Sequence, residues 1–261
     1  RSITECYSVA LPADRQGEVF HRYILGVYDL YERLTSEFPE VLFESCSSGG
    51  GRFDPGMLYY APQGWTSDDS DAIERLKIQY GTSLCYPISS MGSHVSVIPN
   101  HQVFRKTPLH TRANVAYFGT FGYELDLNSL KEEEIAEVKE QIIFMKKYRK
   151  LFQFGDFYRL KSPFEGNETI WMVVSEDKKT AIVGYYRTLN GVNQAYSRIK
   201  LQGLDPDMLY ENILNKTENY GDELMNFGLI TTDVTAGEVP GGATPCTDFE
   251  SRIYILKAKE K

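Results

Sequence analysis

The stretch Val41-Leu42-Phe43-Glu44-Ser45-Cys46-Ser47-Ser48-Gly49-Gly50-Gly51-Arg52-Phe53-Asp54 takes a short apolar run straight into a glycine-rich loop. Val41–Phe43 reads as a buried strand, and the three glycines after it let the backbone approach a ligand closely and present N–H groups. Upstream, Val19, Phe20, Tyr23, Ile24, Val27, Leu30, Tyr31 and Leu34 recur at helical spacing, and Pro39 ends that helix. Downstream, an aromatic stretch punctuated by prolines runs to Trp65 and the cluster Thr66-Ser67-Asp68-Asp69-Ser70-Asp71. Ala72 to Tyr80 then reads as a helix with Ile73, Leu76 and Tyr80 on one face. The signature is strand, loop, helix, repeated.

The repeat continues. Ile88–Val97 and Val115–Leu125 are candidate strands, and residues 129–152 carry the strongest helix signal. There Ser129 and Glu132 form a capping-box pattern, three glutamates fill the first turn, and Lys146, Lys147, Arg149 and Lys150 fill the last. Ile135, Val138, Ile142 and Met145 are the expected buried stripe. After about residue 156 short β-rich runs replace this pattern: Phe157–Leu160, Thr169–Ser175, Thr180–Arg187, Tyr196–Gln202, Met208–Asn212 and Ser251–Lys257, separated by polar turns. The expected architecture is therefore α/β plus all-β. Residues 1–155 form βα units and residues 156–261 an antiparallel β-sandwich, with the boundary near Gly155. A closed (β/α)8 barrel takes about 250 residues. Only about four βα units fit before residue 155, so a complete barrel is excluded.

Composition narrows the function. The 261 residues are 42% hydrophobic and 25% charged, a globular balance, with a net charge of −8. Residues 1–150 and residues 151–261 each contribute −4, so no basic face is concealed and neither nucleic acid nor an anionic membrane is an expected partner. No apolar run approaches the roughly 20 residues of a spanning helix, and the opening Arg1-Ser2-Ile3-Thr4-Glu5 is not a signal peptide. A start without methionine suggests a trimmed or excised piece. The four cysteines Cys6, Cys46, Cys85 and Cys246 form no Cys-x-x-Cys pair, which points to a reducing, cytoplasmic compartment and to no metal site. Thirty-four aromatics, 18 of them tyrosine, suit either core packing or stacking against sugars.

Three groups could carry chemistry. The glycine loop is no phosphate loop, since neither Gly-Lys-Ser/Thr nor Gly-x-Gly-x-x-Gly occurs; it is a ligand loop or a tight surface turn. Nothing near Cys46 supplies a base, which argues against a catalytic thiol. In the acidic cluster, Asp71 with Glu74 reads as a capping pair for the helix from Ala72, leaving Asp68 or Asp69 as a candidate general acid beside Trp65. His21, His94, His101 and His110 match no common metal spacing and read as structural.

These blocks resemble glycoside hydrolase family 36 α-galactosidases. Phe43–Asp54 resembles the family's Cys-x-x-Gly-x-Gly-Arg-x-Asp block, and Trp65–Leu76 its general-acid segment. Ile78-Gln79-Tyr80-Gly81-Thr82-Ser83, Gly92-Ser93-His94-Val95-Ser96, Ile3-Thr4-Glu5 and Gln16-Gly17-Glu18 also stand in register. The resemblance implies the C-terminal part of a (β/α)8 TIM barrel followed by the β-sandwich. It implies hydrolysis of terminal α-galactosyl residues from melibiose and raffinose-type oligosaccharides with retention, through two carboxyl groups about 5–5.5 Å apart. Asp68 matches the acid/base. Cys46 and Gly49, with Asp68, match galactose-contacting positions, and Arg52, Asp54 and Trp65 match supporting ones. No cofactor is implied, and a homo-oligomer, possibly a tetramer, would fit.

One departure follows. The family's nucleophile is the Asp of a Lys-Trp-Asp-Met-Asn segment that would lie three residues ahead of Arg1. The chain thus resembles a fragment with the acid/base but without the nucleophile, and is expected to be inactive by itself. The competing readings are a non-catalytic galactose-binding or assembly module, and a related activity such as galactosyl transfer or α-N-acetylgalactosaminidase specificity on the same scaffold.

Overall fold

The computed structural model describes residues 6–46, 54–191, 197–231 and 248–259. Helix α1 (Glu18–Glu37) forms where the apolar spacing predicts it. The expected strand Val41–Phe43 does not form: Val41 N–H bonds back to the Phe38 carbonyl, prolonging the turn that closes α1. Pairing therefore starts only at β1 (Glu44–Ser45), and Val41 and Leu42 are 53% and 70% exposed. Asp54 then caps α2 (Pro55–Tyr60) by accepting from Met57 N–H at 3.1 Å. The same carboxylate accepts the Tyr28 hydroxyl at 2.5 Å, which ties α1 to α2 and pushes the phenol up to about 12.

The succession β2 (Gln63–Gly64), α3 (Ala72–Ser83), β3 (Gly92–Ser96), α4 (Leu109–Ala116), β4 (Thr120–Glu124) and α5 (Glu132–Phe154) completes the first region. β1 pairs parallel with β2, Gly64 bridges parallel to Met91 at the foot of β3, and β3 pairs parallel with β4. Chain-order neighbours thus run side by side in one direction, each followed by a helix. Two expected strands are shorter than the apolar runs that suggested them. Ile88–Ser90 is a 3-10 turn, and the run from Val115 begins as the end of α4, with Phe118 N–H bonded to the Val115 carbonyl.

Long helix α5 starts later than its capping signal predicts. The Ser129 hydroxyl donates to the Asp126 carbonyl, and it is Glu134 that accepts Lys131 N–H at 3.0 Å. Its buried face is Val138, Gln141, Met145, Tyr148 and Phe152, so Ile135 lies outside it and Ile142 is only partly covered. The basic residues expected in the last turn sit before it, because the helix runs on to Phe154.

Beyond Gly155 come β5 (Asp156–Lys161), β6 (Glu168–Val174), β7 (Thr180–Arg187), β8 (Arg198–Ile199), β9 (Leu209–Asn212), β10 (Glu218–Tyr220), α6 (Gly221–Asn226), β11 (Leu229–Ile230) and β12 (Glu250–Ala258). Six strands form an antiparallel sheet in the order β10-β9-β12-β7-β6-β5, and β8 pairs antiparallel with β11 in a second, two-stranded piece. One face of β6 and β7 (Trp171, Val173, Ile182, Tyr186) joins a cluster with Ala113, Phe118, Tyr148 and Phe152. The other face (Ile170, Met172, Val183, Tyr185) packs with Leu201, Leu204, Tyr210, Leu224 and Leu229. The first cluster crosses from the parallel region into the sheet, so both regions share a core. Among the described residues no helix is long and apolar enough to cross a membrane.

Candidate active site

Because the strands of the first region are parallel, the loops leaving their C-terminal ends open on one edge. Cys46 follows β1 directly and is exposed there. Trp65 follows β2, its N–H bonded to the Ser45 carbonyl at 2.8 Å, and Asp68 lies three residues further on. The sequence-matched residues Cys46, Trp65 and Asp68 are thereby brought to the same edge. Gly49 and Arg52 lie outside the described residues, and Asp54 is spent on Tyr28 and the α2 cap.

The acidic cluster sorts itself by hydrogen bonding. Asp71 is buried, accepts Ile73 and Glu74 N–H at 3.1 Å each, and pairs with Arg105. It is the N-cap of α3, as its position predicts. Asp69 is half-buried and closes a turn by accepting Asp71 N–H at 3.0 Å, while its own N–H donates to the Ser67 hydroxyl at 3.1 Å. Asp68 is exposed and makes no hydrogen bond or ion pair among the described residues. Local structure therefore engages two of the three carboxylates, and among the described residues Asp68 is the one without a partner.

Behind the acid segment stands a stack that the sequence reading did not single out. The Trp65 indole, 8% exposed, lies face to face with the His94 imidazole (4.6 Å between centroids, 29° between planes), and the Arg75 guanidinium sits 5.1 Å from the indole centroid. Glycines make room for it: a Cβ on Gly92 would come 2.9 Å from the indole, and one on Gly122 2.8 Å from the imidazole. Glu124, at the end of β4, places a carboxylate oxygen 3.7 Å from His94 Nδ1. The available signal was the pair Arg75 and Gln79, polar residues one turn apart on a helix. Both are buried along with Ile73 and Leu76, whereas Tyr80 is only partly covered.

Comparison with known proteins identifies this arrangement. The melibiase family model matches residues 1–155, and the model of the glycosyl hydrolase family 36 C-terminal domain matches residues 168–256. The chain belongs to glycoside hydrolase family 36. Alpha-galactosidase AgaA of Geobacillus stearothermophilus is 57% identical over the whole chain, and alpha-galactosidase 1 of Pediococcus pentosaceus 52% identical over 99% of it. The chain spans about a third of the length of the curated relatives it matches (34% of each of these two). Among solved structures, a family 36 AgaA variant in complex with raffinose superposes with a TM-score of 0.90 at 52% identity, covering 98% of this chain and 34% of that one. The alpha-galactosidase of Lactobacillus brevis gives 0.91 at 50% identity, covering 99% and 34%. The family 36 relatives thus share the fold from α1 to β12, including the edge that carries Asp68.

Proposed function

We propose that this chain supplies the acid/base side of a retaining α-galactosidase that removes terminal α-galactosyl residues from melibiose- and raffinose-type oligosaccharides. The observation that carries the reading is Asp68: among the three clustered carboxylates it is exposed and unengaged, at the edge where parallel strands deliver catalytic groups. Relatives over 50% identical, one of them solved with raffinose and another AgaA variant with stachyose, support the substrate class.

In this reading residues 1–155 are the second half of a (β/α)8 barrel and residues 156–261 a β-sandwich domain packed against it. Asp68 in its acid form gives its proton to the glycosidic oxygen as the bond to the anomeric carbon breaks. As carboxylate it then takes a proton from the water that releases galactose. Cys46 contacts galactose from the neighbouring loop, so its thiol is a contact and not a nucleophile, and Gly49 takes a galactose-contacting role by its match to the family. The carboxylate that attacks the anomeric carbon is assigned to no residue of this chain. A cytoplasmic location and a homo-oligomer complete the proposal.

The test is Asp68→Asn in a polypeptide of its relatives' length. Activity on melibiose, whose sugar leaving group needs a proton, should fall about 10²–10⁴-fold. An activated aryl α-galactoside should be spared relatively more. Small and equal losses on both substrates would remove Asp68 from the acid role.

A further inference from the structure

Arg75 is 2% exposed, and among the described residues it has no ion-pair partner. Burying a guanidinium without a carboxylate against it is costly, because the lost hydration must be replaced by hydrogen bonds and ring faces. Burial pushes its proton affinity down to about 10, only partly countered by the more distant carboxylates of Asp69 and Glu124. What the guanidinium does contact is informative. Nη2 donates to the Gly92 carbonyl at 2.5 Å, Nε to Gln79 Oε1 at 3.2 Å, and Nη1 reaches the Ser67 carbonyl at 3.5 Å, while the plane lies over Trp65.

These contacts fall on both sides of one short stretch. Trp65 and Ser67 lead into Asp68, and Gly92 begins the neighbouring strand β3. The clamp is itself fixed: Gln79 Oε1 also accepts the Ser93 hydroxyl at 2.8 Å, and Gln79 Nε2 donates to the Val115 and Phe118 carbonyls at 3.2 and 3.1 Å. The backbone entering Asp68 is thus fastened to β3 through Arg75, and through Arg75 and Gln79 together to the end of α4 and the turn before β4. Asp68 itself makes no bond among the described residues that would hold it in place.

We propose that Arg75 is a positioning residue for the general acid, holding Trp65 and Ser67 against β3 so that the Asp68 carboxyl stands at the glycosidic oxygen. A planar guanidinium can serve three separated acceptors and an aromatic face at once, which an ammonium cannot. The inference rests on the α-galactosidase reading above, and Arg75 touches no substrate in it.

The experiment compares Arg75→Met and Arg75→Lys with the unsubstituted enzyme in a polypeptide of its relatives' length, on melibiose and on α-galactosyl fluoride. Fluoride leaves without a proton from the enzyme, so its kcat/KM, which reports the steps up to formation of the glycosyl-enzyme, registers everything except the acid, whereas kcat on either substrate also contains the later water attack that Asp68 assists as base. Displacement of a catalytic group by about 1 Å costs on the order of 10²-fold. The expected result is a fall in kcat/KM on melibiose of that order for both variants, with kcat/KM on the fluoride held within about threefold, and partial recovery of Arg75→Met by added guanidinium. Equal losses on both substrates would show a purely structural residue, and unchanged melibiose turnover would show no role; either overturns the proposal. If Arg75→Met does not fold, Arg75→Lys decides by the same ratio. Asp68→Asn run alongside separates the two readings. If it fails to discriminate between the substrates, the assignment of the acid falls; if it discriminates and the Arg75 variants do not, only the positioning role falls.

Discussion

The strands β6 and β7 and the helix α1 all form where their sequence patterns predict them, yet they end in opposite surroundings. From Thr169 to Val174 and from Ala181 to Arg187 every residue is buried, because α4 and α5 cover one face and β8, β11 and α6 the other. Helix α1 spans 20 residues and buries none of them. Its tyrosines reach α2 and Phe43, with Tyr31 6.0 Å from Phe43 and 6.2 Å from Tyr60, but Phe20, Leu25 and Leu30 stay in solvent. Periodicity decides whether an element forms, whereas burial depends on what the rest of the fold brings to its apolar face. Stability should therefore be concentrated in the sheet and its two covers.

The sharpest attack on that contrast is Trp171→Ala. The indole is 1% exposed and contacts Phe118, Phe157 and Tyr186 at 5.2–6.4 Å between centroids. Removing such a ring from a closed core costs about 3–5 kcal/mol. An unfolding free energy, measured with denaturant, that fell by less than about 1 kcal/mol would mean the sheet is not where stability resides. Tyr186→Phe asks whether the shared core is also joined by polar contacts. It keeps the ring but removes the hydroxyl that donates to the carbonyl of half-buried Asn114 at 2.6 Å, a hydrogen bond worth about 1 kcal/mol. Unchanged unfolding would mean that this hydrogen bond does not help to join the regions, leaving polar contacts such as Thr111 and Asn114 with the Ser251 hydroxyl (2.9 Å each) to do so.

A smaller effect lies at the rim of the same sheet and depends on pH. Burial opposes ionisation of Glu168, but hydrogen bonds from Lys161 and the Tyr185 hydroxyl outweigh it and hold the carboxyl below its ordinary value of 4.5. A depressed folded value means the stabilisation is complete above the unfolded value and fades as pH falls through the folded one. Melting temperatures at pH 7 and pH 3 should therefore show Glu168→Gln clearly less stable than the unsubstituted chain at the higher pH, with the gap closing at the lower. A gap that stayed constant would assign the loss to packing instead of charge.

Legibility followed the same divide between local pattern and long-range partner. The helices α1, α3 and α5 and the strands β5, β6, β7, β9 and β12 were readable, because each carries its own periodicity or is bounded by polar turns. Strand β10, helix α6 and strand β11 were not, since two to six residues offer too little repeat to read. Val41–Phe43 was misread because apolarity was taken for burial, while the backbone there continues the turn closing α1. At the site, Asp71 was legible as a cap from its place before Ala72. The residue pattern by itself left Asp68 and Asp69 equal, and the family resemblance matched Asp68; what only the structure shows is the turn from Asp69 to the Asp71 amide. Arg75 was missed because its partners, the Gly92 carbonyl and the Trp65 ring, are 17 and 10 residues away and leave no periodic trace.

The smallest prediction is the one best able to break the opening contrast. Leu25 on α1 is 51% exposed, and glutamine has nearly the same intrinsic helix propensity as leucine. Leu25→Gln should therefore leave the stability of this chain within about 0.5 kcal/mol, the usual range for a surface change away from special features. Its near-neutrality beside the large cost of Trp171→Ala would express the contrast in energy, with the same kind of side chain counting heavily in one region and hardly at all in the other. A loss of about 2 kcal/mol or more would be the cost of uncovering a buried leucine. It would show that the outer face of α1 is covered in solution, so that α1 and the sheet differ in what covers them and not in whether they are covered.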